Sequence, residues 1–108
     1  GMTFQVVCHE TDIEPGDVEQ VTIDGMDLAI ARDSDGSWHA ISDLCTHGNV
    51  SLSDGDVEDG GIECWKHGSV FDLRTGKPRQ LPAIHPVTVY ALKLDGGDVL
   101  VDTSSPLN

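Results

Sequence analysis

Short segments in which apolar and polar residues alternate recur along the chain, and turn signals separate them. Val18 to Ile23 alternates in this way and is followed by Asp24-Gly25, a dipeptide typical of two-residue turns, and then by a second candidate strand from Met26 to Ala31. A further turn signal precedes Trp38 to Ile41. We find no helical spacing in this region, so the pattern predicts a three-stranded antiparallel meander over residues 18 to 42.

Both ends of the chain carry the same kind of signal. Phe4 to Cys8 is short, apolar and rich in valine, as expected of a first or edge strand. Val87 to Leu94 alternates, Asp95 to Asp98 contains two glycines, and the apolar residues Val99 to Val101 follow. This arrangement predicts a C-terminal hairpin. The tail from Thr103 to Asn108 carries no structural signal.

The middle of the chain, residues 43 to 86, differs from both flanks. Its strand-like pieces are only three residues long, at 61–63 and 70–72, and the prolines of residues 81–86 exclude a central strand there because proline lacks the ladder donor. We therefore expect a constrained loop at 81–86. The whole pattern predicts one all-β domain over residues 1–108, an antiparallel sandwich or partly open barrel, with a loop-rich subdomain at 43–86.

Charge and cysteine content exclude several classes of function. The 108 residues carry a formal charge of −13, which excludes nucleic-acid binding because such proteins must neutralise phosphates with basic side chains. Anionic membranes are disfavoured for the same reason, and no apolar stretch approaches the roughly 18 residues of a membrane span. Three cysteines, an odd number, argue against a disulfide framework and for a reducing compartment. We therefore expect a cytoplasmic protein that binds no membrane.

Two short motifs within 43–86 contain the candidate metal-binding residues. Cys45-Thr46-His47 and Cys64-Trp65-Lys66-His67 each pair a thiol with an imidazole, and sixteen residues lie between His47 and Cys64. Cysteine and histidine suit zinc or iron and suit calcium or magnesium poorly. Zinc sites usually keep their two cysteines together and their two histidines together, whereas here they alternate. Alternation fits a two-iron cluster whose two ends differ, and a structural Cys2His2 zinc module remains the alternative.

The two motifs, with their neighbours, resemble the ligand boxes of the Rieske iron-sulfur proteins. The boxes are C-T-H-G at 45–48 and C-W-K-H-G-S-V-F-D at 64–72. The resemblance implies one [2Fe-2S] cluster, with Cys45 and Cys64 on one iron and with His47 and His67 on the other. It also implies that the loop at 81–86, which contains Pro82, closes over the cluster.

Departures from the family pattern indicate a low reduction potential. High-potential members carry a disulfide at the positions of Val50 and Lys66, and a tyrosine at the position of Phe71 that donates a hydrogen bond toward a ligand sulfur. Ser69 is retained and is expected to donate to a bridging sulfide. Hydrogen bonds to cluster sulfurs stabilise the reduced state, so Phe71 predicts about −150 mV, the lower end of the Rieske range.

The chain resembles the ferredoxins of bacterial aromatic ring-hydroxylating dioxygenase systems. This resemblance implies a monomeric one-electron carrier, not itself an enzyme, between a flavin-dependent reductase and a terminal oxygenase. A Rieske-like small subunit of a larger reductase, of the nitrite reductase type, is the other alternative beside zinc. No role is assigned to His85. The acidic run 54–59 is interpreted as a solvated turn, with contact to a basic partner as its alternative.

Overall fold

The computed structural model describes residues 3–46, 48–81 and 83–108. Two predicted site residues, His47 and Pro82, lie outside the described residues. Two three-residue 3-10 helices, Glu10–Asp12 and Leu52–Asp54, lie among strands β1 (Gln5–His9), β2 (Val18–Ile23), β3 (Met26–Arg32), β4 (Trp38–Ser42), β5 (Asp56–Glu58), β6 (Gly61–Glu63), β7 (Val70–Asp72), β8 (Val89–Asp95) and β9 (Asp98–Pro106).

These strands form two antiparallel sheets. The larger sheet has six strands in the order β1-β9-β8-β4-β3-β2 and is nearly closed into a barrel, and the smaller one has the order β5-β6-β7. The all-β prediction is therefore confirmed, as is the meander of β2, β3 and β4. No helix in the described part of the chain is long and apolar enough to span a membrane.

Two-residue turns with positive φ close three hairpins. They are Asp24-Gly25 between β2 and β3, Asp59-Gly60 between β5 and β6, and Gly96-Gly97 between β8 and β9. Positive φ at both positions is the type I′ geometry, whose twist matches that of the flanking strands. Glycine and aspartate adopt it at lower cost than other residues, so these dipeptides fix the strand register.

The centre of strand β3, Leu28–Ala31, is buried on both faces, which explains why these four residues are all apolar and do not alternate. Leu28 and Ile30 belong to a core with Val99 and Val101 of β9. Ala29 and Ala31 face a second core, to which the small sheet and its loops contribute. That second core contains both cysteines of the ligand boxes together with Leu52, Ile62, Phe71 and Leu73.

Strand β5 corrects the interpretation of residues 54–59 as a turn. Val57 is buried between the exposed residues Asp56 and Glu58, and it pairs with Ile62 of β6. The signal was present, because D-V-E alternates and Asp59-Gly60 repeats the dipeptide of the first hairpin. The acidic side chains of this strand are the solvent face of a hairpin.

The tail after residue 103 is also corrected, because β9 continues to Pro106. Tyr90 pairs with Pro106 beyond an irregularity in the β8–β9 ladder. Asn108 then accepts a hydrogen bond from the Val89 N–H at 2.9 Å and donates to the carbonyls of Val87 and Thr75. No local pattern predicted this extension, because the pairing with β8 resumes at Pro106 only across the irregularity.

Candidate metal centre

The first ligand loop is a tight turn between β4 and the helix Leu52–Asp54. The Cys45 N–H donates to the Val50 carbonyl at 3.1 Å, and the Gly48 N–H donates to the Cys45 carbonyl at 3.3 Å. Buried Asp43 holds the base of the loop, since its carboxylate accepts from the Ser53 N–H and from the Gln20 amide. The backbone around Cys45 is therefore fixed on both sides.

The second ligand loop connects β6 to β7. The Cys64 N–H donates to the Ser69 carbonyl at 2.7 Å, and the Gly68 N–H donates back to the Cys64 carbonyl at 3.0 Å. Gly68 has a φ of +75°, a left-handed conformation that glycine adopts without strain. These bonds turn the chain sharply, so that Cys64 lies inside while His67 is exposed.

Gly55 determines how closely the first loop approaches the second. A β-carbon at this position would lie 1.7 Å from the carbonyl oxygen of Glu63, the residue before Cys64. No side chain fits there, and the chain therefore requires glycine for backbone contact. Sequence inspection missed this residue, because an isolated glycine in a loop does not reveal what lies against it.

The two cysteine side chains of the ligand boxes lie together in the second core. Both are almost completely buried, and their sulfurs are within hydrogen-bonding reach of each other. Burial raises the pKa of the Cys64 thiol and the neighbouring Cys45 raises it further, while the N–H groups of Lys66 and His67 point at its sulfur and oppose the rise. Adjacent buried thiols ionise together only when a cation compensates both charges.

These two residues therefore fit a thiolate-bound metal. Buried sulfur with N–H donors aimed at it is the environment of an iron-sulfur ligand, whose potential such hydrogen bonds tune. In the described part of the chain no three metal-ligating side chains form a cluster. His67 therefore does not join the two cysteines in such a cluster, and His47 lies outside the described residues, so the complete ligand set stays a prediction.

Three hydrogen bonds fasten Gln80, Ala83 and His85 to the two ligand loops. The Thr46 hydroxyl donates to the His85 carbonyl at 2.8 Å, and the Gln80 amide donates to the Gly68 carbonyl at 2.7 Å. The Ala83 N–H donates to the Ser69 hydroxyl oxygen at 3.1 Å. Sequence inspection missed Thr46 and Gln80, because spacing along the chain does not reveal contacts between loops.

The remaining predicted residues divide into buried and exposed groups. Ser69 is fully buried, and since its oxygen accepts from Ala83, its own O–H is left to donate elsewhere. Phe71 is fully buried opposite Ile62 and supplies no hydroxyl. Lys66 and His85 are exposed. The predicted donation from Ser69 to a sulfide stays a prediction.

Comparison with known proteins identifies the family to which these features belong. Residues 3–91 match the model of the Rieske [2Fe-2S] domain. The biphenyl dioxygenase ferredoxin subunit of Pseudomonas sp. (strain KKS102) is 42% identical over 104 residues, which cover 95% of this chain and 94% of that protein.

Solved structures agree with the sequence comparison. The ferredoxin of carbazole 1,9a-dioxygenase from Nocardioides aromaticivorans IC177 has a TM-score of 0.86 and 37% identity, covering 92% of this chain and 96% of that one. A complex of reduced oxygenase and oxidised ferredoxin in carbazole 1,9a-dioxygenase contains a chain with a TM-score of 0.89 and 32% identity, with full coverage of both chains.

Small subunits of another class share the fold. A nitrite reductase small subunit from Mycobacterium tuberculosis, described as putative and NADH-dependent, has a TM-score of 0.87 but only 23% identity, covering 97% of this chain and 98% of that one. At this identity the likeness concerns the fold alone.

Proposed function

Because the chain belongs to the family of Rieske [2Fe-2S] domains, we propose that it is a low-potential one-electron carrier of an aromatic ring-hydroxylating dioxygenase system. It takes an electron from a flavin-dependent reductase and passes it to the terminal oxygenase. The protein is an electron-transfer component and not a catalytic enzyme, and its cofactor is one Rieske-type [2Fe-2S] cluster.

Each part of the site has a defined task in this function. The bound cluster supplies reversible one-electron chemistry. Cys45 and Cys64 would hold one iron from inside the protein, while His47 and His67 would hold the other. The N–H groups of Lys66 and His67 direct their dipoles at the Cys64 sulfur and stabilise negative charge there. Gln80, Ala83 and His85 hold the two ligand loops in place through three hydrogen bonds.

One observation carries this proposal: the two thiols are buried side by side, whereas His67, three residues after Cys64, is exposed. A structural zinc site is closed by its four ligands. A site with buried sulfur and an exposed imidazole instead gives an electron a short exit to a partner that touches the surface. This arrangement of buried sulfur and exposed imidazole suits a carrier that must bind two partners in turn.

Further observations support the proposed reduction potential, cellular location and monomeric state. Phe71 removes a hydroxyl donor from the cluster environment, which supports a potential near the lower end of the Rieske range, about −150 mV. The three cysteines are free thiols, which suits a reducing compartment and supports a cytoplasmic location. A monomer suits a carrier that presents a single tip to successive partners.

Absorption and electron paramagnetic resonance spectra, before and after dithionite, test the proposal when combined with a metal assay on the same sample. Two irons per chain and a reduced signal with the low average g value of mixed cysteine and histidine ligation are expected. Redox titration is expected to give a midpoint near −150 mV. Colourless protein that holds one zinc and resists iron-sulfur reconstitution would contradict the proposal.

A partner assay separates the carrier from the reductase small subunit. The carrier is expected to purify alone and to be reduced by NADH and a flavin-dependent ferredoxin reductase. The reduced protein is then expected to lose its electron to a terminal oxygenase. Stable copurification with a large reductase, without transfer to any oxygenase, favours the small-subunit alternative.

A further inference from the structure

Three large apolar side chains are exposed on the segments that surround the metal centre. Trp65 is 56% exposed, Leu81 76% and Ile84 68%. They are adjacent in sequence to Cys64, Gln80 and Ala83, and hydrogen bonds join the loops that carry them. We call this group the apolar tip. An exposed patch of this kind next to a functional centre marks a surface that a partner covers.

Trp65 is the largest side chain of the apolar tip, and more than half of its surface is exposed. The other tryptophan, Trp38, is half-buried and packs under the Arg32 guanidinium at 4.9 Å. Neither cation–π contact in the described part of the chain involves Trp65. An indole kept in water beside a cofactor ligand adds little to the fold, whereas tryptophan is enriched among the residues that dominate binding energy at interfaces.

An acidic surface ends at the loop that carries Trp65, because Glu63 lies two residues before the indole. Asp56, Glu58, Asp59 and Glu63 line one depression, and we call them the acidic flank. Asp56 lies directly opposite Glu63 in the β5–β6 ladder, an unfavourable placement of like charges. Arg79 lines the same depression, but its guanidinium bonds the carbonyls of Asp59 and Gly60 and the Asp72 carboxylate.

The acidic flank is continuous with the apolar tip through the chain itself. Glu63 is exposed and immediately precedes Cys64, and Trp65 follows. We therefore expect a partner that covers the indole to face Glu63 and its cross-strand neighbour Asp56. Complementary charge at the rim of an interface steers encounter and fixes orientation. The partner's rim must then carry lysine or arginine beside an apolar depression.

We propose that Trp65 anchors this protein on its terminal oxygenase by inserting the indole into an apolar depression rimmed by basic residues that face the acidic flank. The inference rests on the proposed function, because it assigns the residue that sets affinity at the same electron-transfer surface. Trp65 is a binding determinant and not a ligand. Its removal is therefore expected to weaken the complex while leaving the cluster unchanged.

Substitution of Trp65 tests the anchor. The reduced protein is mixed with the terminal oxygenase of carbazole 1,9a-dioxygenase from Nocardioides aromaticivorans IC177 or of biphenyl dioxygenase from Pseudomonas sp. (strain KKS102). W65A is expected to raise Kd at least about 10-fold, with the transfer rate at saturation unchanged. W65F is expected to restore part of the affinity. The matched control is L94A, which removes an exposed apolar side chain from β8 of the large sheet.

A second variant tests the acidic flank. The double substitution D56N/E63Q is expected to slow association by a few fold at low salt and to flatten its dependence on ionic strength, without changing the effect of W65A. Equal loss of affinity at all salt concentrations would contradict the assigned role of the acidic flank.

The outcomes distinguish a failure of the Trp65 anchor from a failure of the proposed electron-carrier function. If W65A binds as tightly as L94A, the anchor is overturned although the carrier function stands. If W65A shifts the reduction potential or the g values while Kd is retained, Trp65 belongs to the cluster environment and the anchor is again overturned. If the wild-type protein reduces neither oxygenase, the proposed function itself fails.

Discussion

Thr46 lies between two predicted ligands, yet its own hydroxyl binds another loop. Its bond to the His85 carbonyl, at 2.8 Å, fastens the first ligand loop to the segment 80–85. A hydrogen bond of this kind contributes about 1 kcal/mol net, because water replaces it when it opens. The bond matters because of its position and not because of its strength. It resists an opening of the first ligand loop that would admit water to the buried thiols.

T46V is expected to weaken retention of the cluster with little effect on the fold. Valine keeps the shape and removes the donor, so a loss of about 1 kcal/mol corresponds to roughly fivefold faster release of iron to a chelator. T22V is the control, because it removes a hydroxyl bond of 2.7 Å to Asp27 in the distant β2–β3 hairpin. Equal release rates for the two variants would contradict a local role of Thr46.

Asp72 is the residue whose charge most clearly stabilises the small sheet. Burial by itself would raise its pKa, but Arg79 at 2.9 Å and the N–H groups of Thr75 and Arg74 outweigh that effect and lower the pKa to about 2. A pKa lowered on folding stabilises the protein above the unfolded value of about 3.9. This contribution is lost as pH falls toward 2.

D72N is therefore expected to destabilise the protein at neutral pH and to match the wild type in acid. The partners are partly exposed, so solvent screening reduces the expected loss at pH 7 to about 1 kcal/mol. Urea unfolding of the cluster-free proteins near pH 7 and again near pH 2 measures the difference. A gap that persists unchanged near pH 2 would show that the amide disturbs packing and not charge.

Gly76 is where the turn after β7 touches the strand that begins the C-terminal hairpin. Its φ is +76°, and a β-carbon there would lie 2.1 Å from the Val87 carbonyl oxygen and 2.9 Å from the Asn108 amide nitrogen. The Gly76 carbonyl also accepts from the Val87 N–H at 2.9 Å. This contact joins the turn after β7 to the segment that leads into β8. The two segments can lie this close only because residue 76 has no side chain.

G76A is expected to cost clearly more stability than G16A. Both glycines have positive φ, and each loses about 1 kcal/mol from left-handed strain, but nothing lies within 4 Å of a β-carbon at Gly16. The clash at Gly76 is expected to add about 2 kcal/mol or more, because backbone must move. Thermal unfolding of the two variants side by side gives the comparison, and equal melting temperatures would refute the contact.

The molecule as a whole carries far more negative than positive charge. Its formal charge of −13 is spread over a body that measures 39 × 28 × 20 Å. At about 0.01 M salt the screening length is about 30 Å, so charges repel across the entire protein, whereas at about 0.15 M it is about 8 Å. In the described residues one ion pair, Arg79 with Asp72, opposes this repulsion.

Moderate salt is therefore expected to stabilise the fold. Raising NaCl from about 0.01 to about 0.15 M weakens the repulsion more than it weakens one partly exposed ion pair, so the melting temperature is expected to rise by a few degrees. Sodium chloride and potassium chloride are expected to act alike, which separates screening from specific ion binding. A falling melting temperature would mean that attractive pairs dominate the charge balance.

Elements whose signal is local were predictable from the amino-acid sequence alone. The dipeptides Asp24-Gly25 and Gly96-Gly97 predicted their hairpins correctly, because a type I′ turn depends on the φ values of two adjacent residues. The two ligand boxes likewise pointed to the Rieske family, since ligand type and spacing reflect chemistry within one loop. Strand β5 carried the same local signals, and its acidic composition concealed them.

Contacts between segments distant in the chain could not be predicted from the sequence, because they depend on how the chain folds. Strand β9 extends to Pro106 because that residue pairs with Tyr90 of β8 across an irregularity in the ladder, and Gly55 is required because the Glu63 carbonyl lies against it. Thr46, Gln80 and Asn108 act through bonds that span 39, 12 and up to 33 residues. Their side chains are compatible with many conformations, so only the packing of the folded chain selects the partner each one binds.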